Sequence, residues 1–261
     1  MKIETLWVNN DYRNFNYLIA CEETGVAMAV DPLDHAQCLQ VAKKSGYDIR
    51  YVLNTHEHWD HIGGNQAIVD ATGAEVIAHH QARIKGQARG LKAGDAIQVG
   101  KTVELEILDT PGHTMSHVCA IAHGDRSALF SGDTLFNAGA GNCHNGGHPD
   151  ELFDTFEQQM FLLKDDLTIY PGHDYLANNL QFTLDREPGN KQAQALLELA
   201  LDMDPAAPIV TNVEQEREIN TFFRLEQREI VEKLCEEDVA MSPNASPRSV
   251  FLKLRELRNH W

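Results

Sequence analysis

No stretch of the 261-residue chain approaches the roughly 18 consecutive apolar residues of a membrane-spanning helix, so no span is expected. Cysteine is sparse: the five lie at positions 21, 38, 119, 143 and 235, with no C-x-x-C pair. That odd, scattered set excludes a disulfide framework and points to a reducing compartment, the cytoplasm. Positive charge is also short, with 22 Lys and Arg against 39 Asp and Glu for a net charge of −17. A general nucleic-acid binder is thereby excluded, because neutralising phosphates needs clustered cations. An anionic ligand would need a local basic pocket. Leu18-Ile19-Ala20-Cys21 has the form of a lipoprotein processing box, but polar residues from Asn9 to Asn14 precede it where an apolar run belongs, and it reads as a strand. Internal repeats and low-complexity tracts are absent.

What is present is the composition of a folded globular protein, 43% hydrophobic and 23% charged. Its length suits one large domain, or one domain with an appendage. Short apolar runs bounded by turn residues predict strands at 3–8, 17–21, 26–30, 51–54, 75–78, 102–108, 118–123 and 128–131. Helical spacing predicts helices at 35–45 and 65–72, with Gly46 and Gly73 as stops. An α/β arrangement follows. From Asp150 onward Leu152, Phe153, Phe156, Met160 and Leu163 recur at helical spacing, and no convincing strand cluster follows. Further helices are predicted at 176–186, 191–203, 216–234 with breaks, and 248–258. The C-terminal third is read as mainly helical.

Thr55-His56-Glu57-His58-Trp59-Asp60-His61 follows the apolar run Tyr51-Val52-Leu53 and precedes Gly63-Gly64. Alternating His56 and His58 project to one side of an extended chain, and the turn carries Asp60 and His61 toward a neighbouring point. One short loop can therefore serve two metals. Three His and one Asp within six residues at a strand end are hard to ascribe to a solvated loop. The helix-borne motif H-E-x-x-H is absent, since Asp60 stands four residues after His56. Three more candidates each follow a glycine at the end of an apolar run: Pro111-Gly112-His113, Ser131-Gly132-Asp133-Thr134 and Tyr170-Pro171-Gly172-His173. Singly, each is no more than a turn.

Together these four segments resemble the metallo-β-lactamase superfamily in order and spacing. The resemblance implies a four-layer αββα sandwich, with His56, His58 and His113 on one metal, Asp60, His61 and His173 on a second, and Asp133 bridging. Five imidazoles and two carboxylates suit zinc first, with iron or manganese also possible. Two cations roughly 3.5–4 Å apart can lower the pKa of a bridging water and polarise a carbonyl. Asp60 and Asp133 would then orient the resulting hydroxide as the catalytic carboxylates. Asp31, in Val30-Asp31-Pro32, matches a family position that supports the metal loop, with a strand-end turn as the competing reading. His35, His79, His80, His117, His123 and His260 belong to no such motif and are read as structural or solvated.

Within that superfamily, Ser131 to Phe136, Gly139 to Gly141, His173-Asp174-Tyr175 with Asn178-Asn179, Glu187-Pro188-Gly189-Asn190 and Ile219 to Arg224 resemble glyoxalase II, the hydroxyacylglutathione hydrolases. The match covers nearly the whole chain. It implies a catalytic domain at 1–173 and a helical substrate-binding domain at 174–261. The implied reaction is hydrolysis of an S-(2-hydroxyacyl)glutathione thioester, such as S-lactoylglutathione, by a metal-bridged hydroxide. A thiolate of conjugate-acid pKa near ~8.5 departs with little help, so no general acid is needed.

Tyr175 and Arg224 match glutathione-contact positions of the family, and Arg228 stands at i+4 from Arg224, so both cations would face one pocket were that segment helical. Asn142 and His144 replace the family's common basic and aromatic residues, which implies a weaker hold on glutathione. The same ligand set also serves hydrolysis of another thioester or a lactone, or a mono-iron persulfide dioxygenase. A noncatalytic metal-binding regulator is the alternative of a different class.

Overall fold

Tyr17 and Ile19 point one way from their strand and Leu18 and Ala20 the other, and this period of two sorts the first third of the chain into two cores. The structure, a computed structural model, describes all 261 residues. Strands β1 (Lys2–Trp7), β2 (Phe15–Ala20), β3 (Val26–Val30), β4 (Asp48–Leu53), β5 (Glu75–His79) and β6 (Gln87–Leu91) form one sheet in that order. The first three are antiparallel, and β3 to β6 run parallel. Helix α1 (His35–Ser45) joins β3 to β4, and α2 (Trp59–Ile62) with α3 (Asn65–Thr72) joins β4 to β5, as parallel pairing requires. The Asp34 carboxylate caps α1 by accepting from the Gln37 N–H, and left-handed Gly46 and Gly73 end α1 and α3.

The second sheet holds β7 (Ala96–Val99), β8 (Val103–Asp109), β9 (Val118–His123) and β10 (Ala128–Gly132). A hairpin of β11 (Leu135–Phe136) and β12 (Gly139–Ala140) and then α4 (Pro149–Gln158) follow, and β13 (Thr168–Pro171) returns to pair with β10 in parallel. The tail is α5 (Leu176–Arg186), α6 (Lys191–Leu201), α7 (Val213–Ile219), α8 (Arg228–Glu237) and α9 (Pro247–Arg258).

Met28, Leu53 and Ile77 of the first sheet pack against Leu105, Ile107 and Phe130 of the second. Helices α1 and α3 cover the outer face of the first sheet through Cys38, Ala42 and Ile68. Cys119, Leu129 and Ile169 on the outer face of the second meet Phe153 and Phe156 of α4 and Ile230 and Phe251 of the tail. The result is the αββα sandwich with a helical C-terminal region. One continuous core joins that region to the second sheet. No helix is long and apolar enough to cross a membrane.

Three departures from the sequence expectations have physical causes. Strand β13 lies beyond Asp150, where none was expected, because four residues carry too little period to register. Strand β6, with three exposed residues of five, lacks an apolar run and escapes for that reason. The stretch 216–234 is divided between α7, a 3₁₀ turn at Thr221–Phe223 and α8, because Asn220 and Gln227 adopt extended backbone.

Candidate metal centre and adjoining pocket

The polar residues gather beyond the C-terminal ends of β3, β4, β10 and β13, the usual place for a site in parallel α/β sheets. Asp31, just past β3, takes φ of 47° and turns its carboxylate onto the loop after β4. One oxygen accepts from the Thr55 N–H at 2.8 Å, and the other accepts from Thr55 Oγ1 at 2.7 Å and His61 Nδ1 at 3.0 Å. Two glycines admit close approach. A Cβ at Gly132, where φ is 48°, would stand 2.6 Å from Thr55 Oγ1, and one at Gly172 would stand 2.2 Å from Asp133 Oδ1.

Each of five imidazoles donates one N–H outward to an acceptor. His56 Nδ1 donates to Thr55 Oγ1 at 3.0 Å, because that hydroxyl spends its own proton on Asp31. His58 Nε2 donates to the Asn145 carbonyl, His61 Nδ1 to Asp31, His113 Nδ1 to the Asn142 carbonyl and His173 Nδ1 to the Tyr12 carbonyl. These partners set the tautomers, so the remaining nitrogens present lone pairs inward. His58 Nδ1 lies 3.0 Å from His56 Nε2 and 3.1 Å from His113 Nε2, and His61 Nε2 lies 3.2 Å from His173 Nε2. Lone pairs so placed repel unless a cation or proton lies among them.

The carboxylates complete the pattern. Asp133 is 3.6 Å from His61, 3.5 Å from His113 and 3.1 Å from His173, while Asp60 is 3.6 Å from both His61 and His173. Donor atoms of His56, His58 and His113, of His56, His61 and Asp133, and of Asp60, His61 and His173 lie within 4.8 Å of one another in each group. Buried Asp133 Oδ1 has no hydrogen-bond partner, an orphan that a cation would satisfy. Burial, reinforced by the neighbouring imidazoles, holds His56 well below its ordinary range. Burial likewise brings His113 down to about 4, outweighing the opposing pull of Asp133. Burial also opposes charge on His61, yet Asp133, Asp31 and Asp60 raise it to about 9, so a proton and a cation compete for that point. The donor set is that of a divalent metal-binding cluster.

Tyr175 connects this cluster to a pocket of about 320 Å³. Its ring stacks on His173 with centroids 5.0 Å apart, and its hydroxyl donates to the Tyr12 carbonyl. Asn142, His144, Arg255 and Arg258 line the same pocket. Arg255 is buried and donates to the carbonyls of Ala140 and Gly141 at 2.7 and 2.9 Å, while Arg258 donates to Asn179 Oδ1. Neither is within ion-pairing distance of an acid, although most of the other arginines are. Burial, then the adjacent Arg258, lowers Arg255 to about 10, which leaves it charged at neutral pH.

Residues 23–173 match the metallo-beta-lactamase superfamily, and residues 174–261 match the hydroxyacylglutathione hydrolase C-terminus. A hydroxyacylglutathione hydrolase from a Polaromonas species is 57% identical over the whole of both chains. The chain belongs to the hydroxyacylglutathione hydrolase family. A cytoplasmic member of the family from Arabidopsis thaliana is 33% identical, with 95% of each chain covered. ETHE1 from Myxococcus xanthus shares the fold at a TM-score of 0.68 and 25% identity, over 96% of this chain and 95% of its own.

Arg224 and Arg228 do not reach the pocket beside Tyr175, contrary to the expectation from their spacing. Arg224 is turned to Glu187 in a two-pronged ion pair of 2.5 and 2.8 Å. Arg228 is exposed and pairs with Glu232 on α8. The extended backbone at Gln227 separates their helical phases, so the i+4 argument fails. The cations that do line the pocket, Arg255 and Arg258, are missed by the sequence reading; the signal that could have found them is a pair three apart on the last helix. Arg255 sits four residues after Phe251 on the apolar stripe, an unusual place for a charge.

Three supports also escaped the sequence reading. Asn14 donates to Asp60 Oδ2 at 3.1 Å, and the Tyr12 carbonyl holds both His173 and Tyr175. His117, read as structural or solvated, is buried under the ring of His56, and its Nε2 accepts the Asp133 N–H at 3.1 Å. Its Nδ1 faces the hydroxyls of Thr110 and Thr134 at 2.8 and 3.1 Å. His117→Phe keeps the ring but orphans that N–H, at a cost of about 1–3 kcal/mol. Loss of such an outer support should weaken metal retention roughly 10–100-fold, and His117→Gln, which keeps an acceptor, should lose less. Chelator competition on the folded variants measures both.

Proposed function

We propose that the protein hydrolyses S-(2-hydroxyacyl)glutathione thioesters, with S-lactoylglutathione as the test substrate, to glutathione and a 2-hydroxy acid. The observation that carries this reading is the pair of unpaired arginines, Arg255 and Arg258, beside the His/Asp cluster in a chain of net charge −17. Guanidinium groups left without acids among 39 acidic residues suit the carboxylates of a tripeptide thiol.

In this reading His56, His58 and His113 would hold one divalent ion and Asp60, His61 and His173 a second, with Asp133 placed to be shared; zinc would fit the donors best, with iron and manganese next. Ions bound there supply Lewis acidity toward the thioester carbonyl and lower the pKa of water. Asp60 and Asp133 direct the attacking water through its proton. Tyr175, Asn142, His144, Arg255 and Arg258 hold the glutathione part, so the thioester carbon is presented to the cluster and the thiolate departs toward the pocket. Residues 1–173 act as the catalytic unit and 174–261 as the substrate-binding unit. Five free thiols suit the cytoplasm.

Metal content by mass spectrometry, paired with hydrolysis of S-lactoylglutathione, a second thioester and a lactone, tests the assignment. We expect two ions per chain and thioester cleavage abolished by chelation. Cleavage of the lactone alone would overturn the substrate, and oxygen uptake with a persulfide would overturn the reaction class.

A further inference from the structure

Residues 137–142 connect the bridging aspartate to the pocket, and side chains of the helical tail bond four of their carbonyls and one N–H. Asn179 Nδ2 donates to the Asn137 carbonyl at 3.0 Å, Asn220 Nδ2 to the Gly139 carbonyl at 3.1 Å, and Arg255 to the next two carbonyls. The Ala138 N–H donates to both oxygens of the Glu216 carboxylate, at 3.0 and 2.9 Å. The segment ends on the Asn142 carbonyl, which accepts from His113 Nδ1 at 2.7 Å and so sets that ring.

Two features show that this contact is more than packing. Ala138 takes φ of 58°, a left-handed conformation that a residue with a Cβ avoids unless held there. Glu216 is fully buried with no cation in reach, and its remaining partners are the Thr211 hydroxyl at 2.5 Å and Asn220 Nδ2 at 2.7 Å. Burial pushes its carboxyl up to about 7, although all three partners donate to it. A carboxylate buried without a cation is a costly way to fill a core position. What it offers that an apolar side chain cannot is a fixed pair of acceptors for the strained N–H and for the two side chains around it.

We propose that Glu216 is a positioning residue of the metal centre: it locks Ala138 in the left-handed turn and thereby places the Asn142 carbonyl that orients His113. Asn220 and Thr211 brace the carboxylate, and Asn137 Nδ2, which donates to Thr211 Oγ1 at 2.7 Å, closes the network on the same loop. The inference rests on His113 being a metal ligand and is independent of the substrate.

The test uses the full-length protein, loaded with zinc for affinity by chelator competition and with cobalt(II) for the absorption spectrum of its ligand field. Glu216→Ala, folded by circular dichroism, is expected to bind the ion at the His113 group roughly 10-fold more weakly or worse and to shift the cobalt spectrum. Glu216→Gln keeps an acceptor for Ala138 and is expected to restore most of both. Adding Ala138→Gly to Glu216→Ala should also recover affinity, since glycine adopts the turn without being held. A merely structural role for Glu216 would not be rescued by a change at position 138. Should Glu216→Ala not fold, Asn220→Ala carries the same test with a smaller expected loss. Wild-type affinity and an unchanged cobalt spectrum in whichever of the two variants folds overturn the proposal. Failure of the wild type to bind metal would instead overturn the assignment of His113 as a ligand, and the proposal with it.

Discussion

Asp133→Ala should lose more activity than any other single change in the cluster, and by more than the ~10–100-fold that loss of an outer support costs. Its carboxylate is the one group facing His61, His113 and His173 together, so it belongs to both halves of the donor set. Burial disfavours its charge, yet His173, His61 and His113 hold its carboxyl far below the usual range. Alanine would leave those imidazoles crowded together without the anion that offsets a bound cation. On the proposed two-ion assignment both ions should therefore weaken, whereas Asp60→Ala should weaken chiefly an ion held with His61 and His173. Asp133→Asn separates shape from charge: it retains the volume, offers one oxygen and should fall between wild type and alanine. Metal stoichiometry and kcat measured on the three proteins decide the matter. The idea fails if Asp133→Ala keeps two ions at wild-type affinity, or if Asp60→Ala is the more damaged enzyme.

How much of this was legible in the sequence depends on how local the signal is. The loop from His56 to His61 could be read because its donors are neighbours in the chain, and Gly46 and Gly73 marked helix ends because a left-handed stop is set by one residue. His113, Asp133 and His173 lie far apart in sequence and acquired meaning only as a set. The supports are invisible to local reading for a different reason. The Tyr12, Asn142 and Asn145 carbonyls act through backbone, which any residue carries, and His117 finds the Asp133 N–H only after β9 and β10 pair. The pairing of Arg224 is invisible to spacing because its partner, Glu187, lies 37 positions earlier and the ion pair is closed by tertiary packing.

Arg258→Ala should raise KM for S-lactoylglutathione by about 10–150-fold, the equivalent of losing one hydrogen bond to a charged group worth about 1.5–3 kcal/mol. The guanidinium lies in the pocket and not among the metal-facing donors, so it should hold substrate equally in the ground and transition states and leave kcat little changed. Arg255→Ala is a less clean probe, because that side chain also anchors the carbonyls of Ala140 and Gly141, and both kcat and KM should suffer. The pair recasts the expectation that Asn142 and His144 weaken binding. Both line the pocket, but both are exposed at its rim, while the cations sit deeper. Asn142→Lys should therefore lower KM only modestly, since an exposed charge is screened and the new ammonium would meet two like charges already in place. In an Arg258→Ala background the same lysine should lower KM further than in wild type, because it then replaces a missing cation. Equal effects of Asn142→Lys in the two backgrounds would mean that the sites bind different parts of the substrate. A wild-type KM in Arg258→Ala would remove the arginine from the binding site altogether.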